Sequence, residues 1–121
     1  MAKKTILVVD DAPIVRLMIK DIAEYNGYQV IAEGANGNEA VEKYKELKPD
    51  IVTLDIIMPQ KDGIEALQDI LAHDPEARVV MVTAIDQRDS LMKAIRLGAT
   101  DYIVKPFENE RVVSALSNAA K

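Results

Sequence analysis

Short apolar, β-branched runs alternate along this chain with longer segments in which apolar residues recur every third or fourth position. The runs are Thr5 to Val9, Tyr28 to Ala32, Asp50 to Leu54, Arg78 to Val82 and Asp101 to Val104. Such runs, bounded by turn residues, predict strands, and the longer period predicts helices. The second run is the weakest and reads as an edge.

The first helix is expected after Pro13, which is pre-organised for a first helical turn, with Ile14, Met18, Ile22 and Tyr25 recurring along it and Gly27 as its stop. Asn36 to Leu47 predicts a second helix with Ala40, Tyr44 and Leu47 inward, Glu39 and Lys43 paired outward, and Pro49 beyond its end. A third follows Asp62-Gly63 through Ile64, Leu67, Ile70 and Leu71, with Pro75 marking the turn out. Asp86 to Leu97 is a fourth, closed by Gly98, with Met92 and Ile95 as its inward stripe. Asn109 to Ala119 is a fifth, carrying Val112, Val113 and Leu116.

Five strand-then-helix units predict a parallel α/β sheet whose right-handed crossovers lay helices on both faces. Ligands of such sheets bind outside the carboxyl ends of the strands. The chemically active side chains of this chain cluster at those ends: Asp10 and Asp11 after the first run, Asp55 after the third, Thr83 after the fourth, and Lys105, before Pro106, after the fifth.

Three carboxylates at one edge repel one another and lose hydration, so a divalent cation is the expected compensation. Mg²⁺ suits a few carboxylates supplemented by water and phosphate oxygens. Asp55 is the expected nucleophile, since a carboxylate can attack a phosphoryl group to give an acyl phosphate. Lys105 can pair with Asp55 or with the phosphoryl group, and the Thr83 hydroxyl can donate to a phosphoryl oxygen. Singly, each has an ordinary explanation as a helix cap, a strand-ending turn or a local hydrogen bond. Their coincidence at four strand ends is what points to chemistry.

Composition narrows the function further. The chain of 121 residues fits one domain and has no cysteine, so it forms no disulfide staples. Fifteen basic against twenty acidic residues leave a net charge of −5, with the basic residues dispersed, which disfavours nucleic acid. No apolar stretch approaches the roughly 20 residues of a membrane span, and Met1-Ala2-Lys3-Lys4 leads into a run too short for a signal-peptide core, so a cytoplasmic location without membrane attachment is expected. His73 is the only histidine, which removes zinc sites and histidine triads, and its place near a helix end predicts a surface residue. Gly34 and Gly37 are too sparse for a phosphate-cradling loop. A haloacid-dehalogenase-type phosphatase would need a second Asp where Ile57 stands. The four internal methionines read as core filling.

The chain resembles the receiver domains of two-component response regulators over essentially its full length. The resemblance rests on Ile6-Leu7-Val8-Val9-Asp10-Asp11, on Asp50 through Pro59 with Asp62-Gly63 following, on Val82-Thr83-Ala84, Gly98-Ala99 and Lys105-Pro106-Phe107. Asp10-Asp11-Ala12-Pro13, Met18 through Ile22 and Asn36 through Val41 look most like the stand-alone chemotaxis members. The resemblance implies a flavodoxin-like (βα)5 fold with strand order 2-1-3-4-5, formed by residues 1–121 as a single receiver.

It also implies roles. Asp55 is the expected phosphoacceptor, Asp10 and Asp11 the acidic Mg²⁺ pair, and the backbone carbonyl of Ile57 a further ligand. Lys105 is expected to bind the phosphoryl group through a chain with a cis Lys105-Pro106 bond, and Thr83 and Tyr102 to form the switch pair. The fourth helix, fifth strand and fifth helix would form the output surface. There Met92 and Ile95 suffice as the inward stripe, leaving Leu91 surplus, and Leu91, Ile95 and Tyr102 are the expected partner surface. Ile57 and Ile85 stand where the family often has polar residues; the expectation is that they exclude and fail to position water, so the acyl phosphate decays slowly. The implied protein is a signalling switch and not an enzyme, although it assists its own phosphorylation and dephosphorylation. Its expected partners are a histidine kinase, a flagellar motor switch protein or other downstream protein, and a phosphatase, and it is expected to be a monomer. Two alternatives stand beside this: a phosphorelay intermediate passing the group to a second histidine protein, and the receiver of a multidomain regulator.

Overall fold

In a computed structural model, which describes residues 3–121, the chain forms β1 (Thr5–Val9), α1 (Pro13–Tyr25), β2 (Gln29–Gly34), α2 (Gly37–Leu47), β3 (Ile51–Asp55), α3 (Gly63–His73), β4 (Val79–Ala84), α4 (Arg88–Leu97), β5 (Asp101–Lys105) and α5 (Asn109–Ala120). The strands make one parallel sheet in the order β2-β1-β3-β4-β5, as expected. Alternate residues of each strand face opposite sides. Ile6, Val8, Ile51, Val80, Val82 and Ile103 therefore pack under α1 and α5, and Leu7, Val9, Val52, Leu54, Val79 and Met81 under α2, α3 and α4.

The strand ends differ from the expected ones in a way that matters for the site. β3 runs on to Asp55, β4 to Ala84 and β5 to Lys105, so Asp55, Thr83 and Lys105 are held by sheet hydrogen bonds and are not loop residues. β2 lies at the sheet edge and extends to Gly34, whose carbonyl accepts the Asp10 N–H at 3.0 Å.

Helix faces were harder to read. On α1 the buried residues are Ile19 and Ala23, supported by Val15 and Ile22, whereas Ile14, Leu17, Met18 and Tyr25 are exposed. On α2, Val41 goes inward with Ala40 and Tyr44, and Leu47 is exposed. On α4 the expected stripe is corrected: Ala94 is buried and Leu91 packs against the core, while Met92 and Ile95 face solvent. Of the four internal methionines, only Met58 and Met81 fill the core. His73 is exposed, with its ring edge-on to Tyr44. The Lys105-Pro106 bond is cis, as expected.

Candidate functional site

Side-chain alternation puts Asp10, Asp55 and Lys105 on the same side of the sheet, Asp10 and Lys105 two residues beyond Val8 and Ile103 and Asp55 four beyond Ile51, all core residues of the α1/α5 face. Asp10 has no exposed surface and Asp55 is 5% exposed, while Asp11 is open to solvent. One oxygen of each carboxylate lies within 4.8 Å of the others. Lys105 Nζ approaches from β5, 3.0 Å from Asp10 Oδ2 and 3.5 Å from Asp55 Oδ1.

Three acids around one ammonium leave excess negative charge, and its effect is visible in the proton affinities. Burial pushes the Asp55 carboxyl up to about 6, with repulsion from Asp10 adding to the rise and Lys105 opposing it. Burial works against the charged form of Lys105 too, but its hydrogen bond to Asp10 and the charges of Asp55 and Asp10 outweigh that and hold its pKa above the usual value. Asp10 Oδ1 accepts the Ala12 N–H at 2.9 Å. Its Oδ2 is buried without an aligned hydrogen-bond donor.

Other side chains fix the frame. Arg16 donates to the Asp10 carbonyl at 2.5 Å and to Glu33 Oε1 at 3.0 Å, tying the β1 end to the edge strand. The Glu33 carbonyl in turn accepts from Lys43. Below Asp55, the Gly63 N–H donates to the Ile56 carbonyl at 2.7 Å, and a Cβ on Gly63 would fall 2.1 Å from the Asp55 carbonyl oxygen. Only glycine lets the start of α3 sit that close. Asp62 completes the arrangement with a capping box to Glu65.

On the β4 side, Thr83 is buried. Its hydroxyl lies 3.2 Å from the Ala84 carbonyl and 3.3 Å from Gln87 Oε1, and that same Gln87 oxygen accepts the Ala84 N–H at 2.9 Å. Tyr102, on β5, is 39% exposed. The Arg111 guanidinium sits 5.2 Å from its ring centroid and donates to the Tyr102 carbonyl and to Asp101.

Two expectations need correction here. Leu91 is not surplus: it turns toward the core because the helix presents Met92 and Ile95 to solvent. The exposed large apolar residues of α4 are thus Met92, Ile95 and Leu97. Ile57 and Ile85 are 60% and 86% exposed, because both sit on loops leaving the sheet, so neither side chain is packed into a seal over Asp55. Sequence reasoning found the strand-end residues and missed Arg16, Gln87 and Arg111, whose parts depend on which way long side chains fold back.

The response regulator receiver domain family matches residues 6–117. The chain belongs to that family. The receiver is 52% identical over 118 residues to the chemotaxis protein CheY of Thermotoga maritima, covering 98% of each chain. It is 54% identical over 116 residues to CheY of Listeria monocytogenes, covering 96% of this chain and 98% of the relative. Among solved structures it is similar to the CheX–CheY–BeF3–Mg²⁺ complex of Borrelia burgdorferi, with a TM-score of 0.89 and 36% identity, over 93% of this chain and 86% of that one.

The acidic cluster fits Mg²⁺. Hard carboxylate oxygens from Asp10, Asp11 and Asp55 lie near one another, the Asp10 Oδ2 that meets the Lys105 ammonium has a further lone pair to offer in the buried part of the site, and the excess negative charge calls for a cation. Among the described residues, no helix is long and apolar enough to cross a membrane.

Proposed function

We propose that the receiver is a cytoplasmic chemotaxis switch that accepts a phosphoryl group on Asp55 from a phosphohistidine of a histidine kinase and then binds a downstream protein, of which a flagellar motor switch protein is the favoured kind. The observation that carries this reading is the buried Asp55 carboxylate beside Lys105 and two further acids at the carboxyl edge of the sheet. It is supported by the similarity to chemotaxis CheY proteins over nearly the whole chain.

In this reading Asp55 acts as the nucleophile. Without a cation its proton affinity is raised to about 6, and it remains mainly ionised at neutral pH, the form that attacks phosphorus. One Asp55 oxygen forms the new bond to phosphorus as the bond from phosphorus to the imidazole nitrogen breaks, and the imidazole leaves with the electron pair. Lys105, already 3.5 Å from Asp55 Oδ1, holds the transferred group by charge. Asp10, Asp11, Asp55 and the Ile57 carbonyl would hold Mg²⁺, which when bound neutralises the phosphoryl oxygens during in-line transfer. Thr83 donates its hydroxyl to the phosphoryl group, and Tyr102 responds by turning inward. Met92, Ile95 and Tyr102 then supply apolar contacts for the downstream partner.

Phosphoramidate, a small donor with the same phosphorus–nitrogen bond, tests the first step. Mixed with Mg²⁺ and the protein, it is expected to add the mass of one phosphoryl group in intact mass spectrometry, with no addition to Asp55→Asn. Equal addition to that variant removes Asp55 as the acceptor.

A further inference from the structure

Gln87 is placed oddly for the residue that caps α4. Its side chain makes no capping hydrogen bond to the helix it begins. It folds back instead onto the end of β4, where its Oε1 accepts the Ala84 N–H at 2.9 Å and lies 3.3 Å from the Thr83 hydroxyl. Its backbone reinforces the link, since the Gln87 N–H donates to the Ala84 carbonyl at 3.1 Å and the Gln87 carbonyl accepts the Leu91 N–H at 3.0 Å. One amide thus joins the last residues of β4 to the first turn of α4.

Those two donors are the polar groups that β4 offers beside Asp55. Asp55 is paired in register with Val82, and Thr83 and Ala84 follow directly. A phosphoryl oxygen carried by Asp55 is an acceptor that seeks donors of this kind, and it is a stronger acceptor than a neutral amide oxygen because it is charged.

We propose that the Gln87 side chain is an internal competitor of the phosphoryl group: in the resting receiver its Oε1 holds the Ala84 N–H and shares with the Ala84 carbonyl the role of acceptor for the one Thr83 hydroxyl proton, and phosphorylation of Asp55 displaces it. This deepens the phosphoacceptor reading and rests on it. Displacement has a structural consequence, because losing the Gln87 side-chain bond leaves the Gln87 N–H to the Ala84 carbonyl as the remaining hydrogen bond between Gln87 and the end of β4. The helix that carries Met92 and Ile95 is thereby loosened by the chemistry at Asp55, without a contact between the phosphoryl group and the helix itself. Gln87 acts on the reaction by occupying its donors, as a positioning residue.

Beryllofluoride with Mg²⁺, a phosphoryl mimic, provides the test through NMR titration of the wild type, Gln87→Ala, the near-isosteric Gln87→Met that lacks the acceptor oxygen, and Gln87→Glu. Removing a competing neutral acceptor is expected to tighten binding by about fivefold in both Ala and Met variants. Glu, a charged and therefore stronger occupant of the same donors, is expected to weaken binding by about tenfold or more. In the wild type, the Gln87 side-chain amide resonances should move toward those of a free glutamine as the mimic binds. A merely structural brace gives the opposite sign, with Ala and Met weakening the mimic, and that result or unchanged affinity overturns the proposal. Static Gln87 resonances in a wild type that binds the mimic also overturn it. Failure of the wild type to bind at all refutes the phosphoacceptor reading and the competitor with it.

Discussion

Replacing Asp55 by Asn should stabilise the metal-free fold at neutral pH, and the size of the effect follows from the site. Burial, together with the Asp10 charge, raises the Asp55 carboxyl from 3.8 to about 6. At about 1.4 kcal/mol per pH unit, the ionised carboxylate is disfavoured in the folded protein by about 3 kcal/mol relative to its protonated form. The sign is fixed by which state holds the proton more tightly. Between pH 4 and about 6 the folded protein does, so the wild type loses stability from this group as pH rises through that window and levels off above it. Asn keeps the shape and carries no charge, so it escapes that loss. Local relaxation lowers the expected advantage to about 2 kcal/mol at pH 7.5, vanishing near pH 4. Urea denaturation followed by circular dichroism in EDTA, at pH 4 to 8, measures the gap. Saturating Mg²⁺ should close it by stabilising the wild type alone. A gap that is independent of pH, or an Asn variant less stable than the wild type at pH 7.5, would refute the assignment of repulsion and burial at this carboxylate.

The two remaining predictions concern neighbours of the site. Gly63→Ala would place a Cβ 2.1 Å from the Asp55 carbonyl oxygen, so α3 must shift, and a loss of about 2 kcal/mol is expected in the same denaturation assay, with a changed Asp55 amide resonance. A loss below about 0.5 kcal/mol would mean the close approach is not needed. Arg111→Ala removes the cation over the Tyr102 ring, an interaction of about 0.5 to 1 kcal/mol at an exposed site, so the solvent-facing Tyr102 rotamer should fall about threefold relative to the inward one. Three-bond couplings from the Tyr102 backbone nitrogen and carbonyl carbon to its γ-carbon report these populations, and unchanged values refute the part given to Arg111.

The strand-end residues were legible because a strand allows one choice in two. Once Val8, Ile51 and Ile103 are taken as core, side-chain alternation sends Asp10, Asp55 and Lys105 to the same side, and the parallel topology sends them to the same edge. Helix faces offer no such parity. On α1, residues Ile14, Val15, Leu17, Met18, Ile19 and Ile22 are apolar nearly all the way round, so a stripe drawn through Ile14, Met18, Ile22 and Tyr25 fits the period as well as the observed one through Val15, Ile19, Ile22 and Ala23, and only Ile22 is common to both. The same ambiguity turned Leu91 outward in the reading and inward in the fold, because a small residue, Ala94, marks the true centre of the α4 interface.

What escaped the sequence altogether were long polar side chains that bond backward. Gln87 reads as an ordinary helix-start residue, Arg16 as a solvated helix face and Arg111 as a surface cation. Each gains its meaning only when the chain brings it to the Thr83-Ala84 end of β4, the Asp10 carbonyl or the Tyr102 ring. This division has a physical basis. The residues proposed to do the chemistry hang on sheet hydrogen bonds and are held in one arrangement, as a nucleophile and its ammonium partner must be. The residues proposed to link that chemistry to α4 and to Tyr102 are tethered by a few hydrogen bonds and a ring contact, each worth about 1 kcal/mol. Bonds of that size can be exchanged when one charged oxygen arrives at Asp55, whereas the buried strands beneath cannot rearrange so cheaply. A receiver that must respond to a single phosphoryl group therefore needs its readout built from the part of the molecule that sequence pattern specifies least.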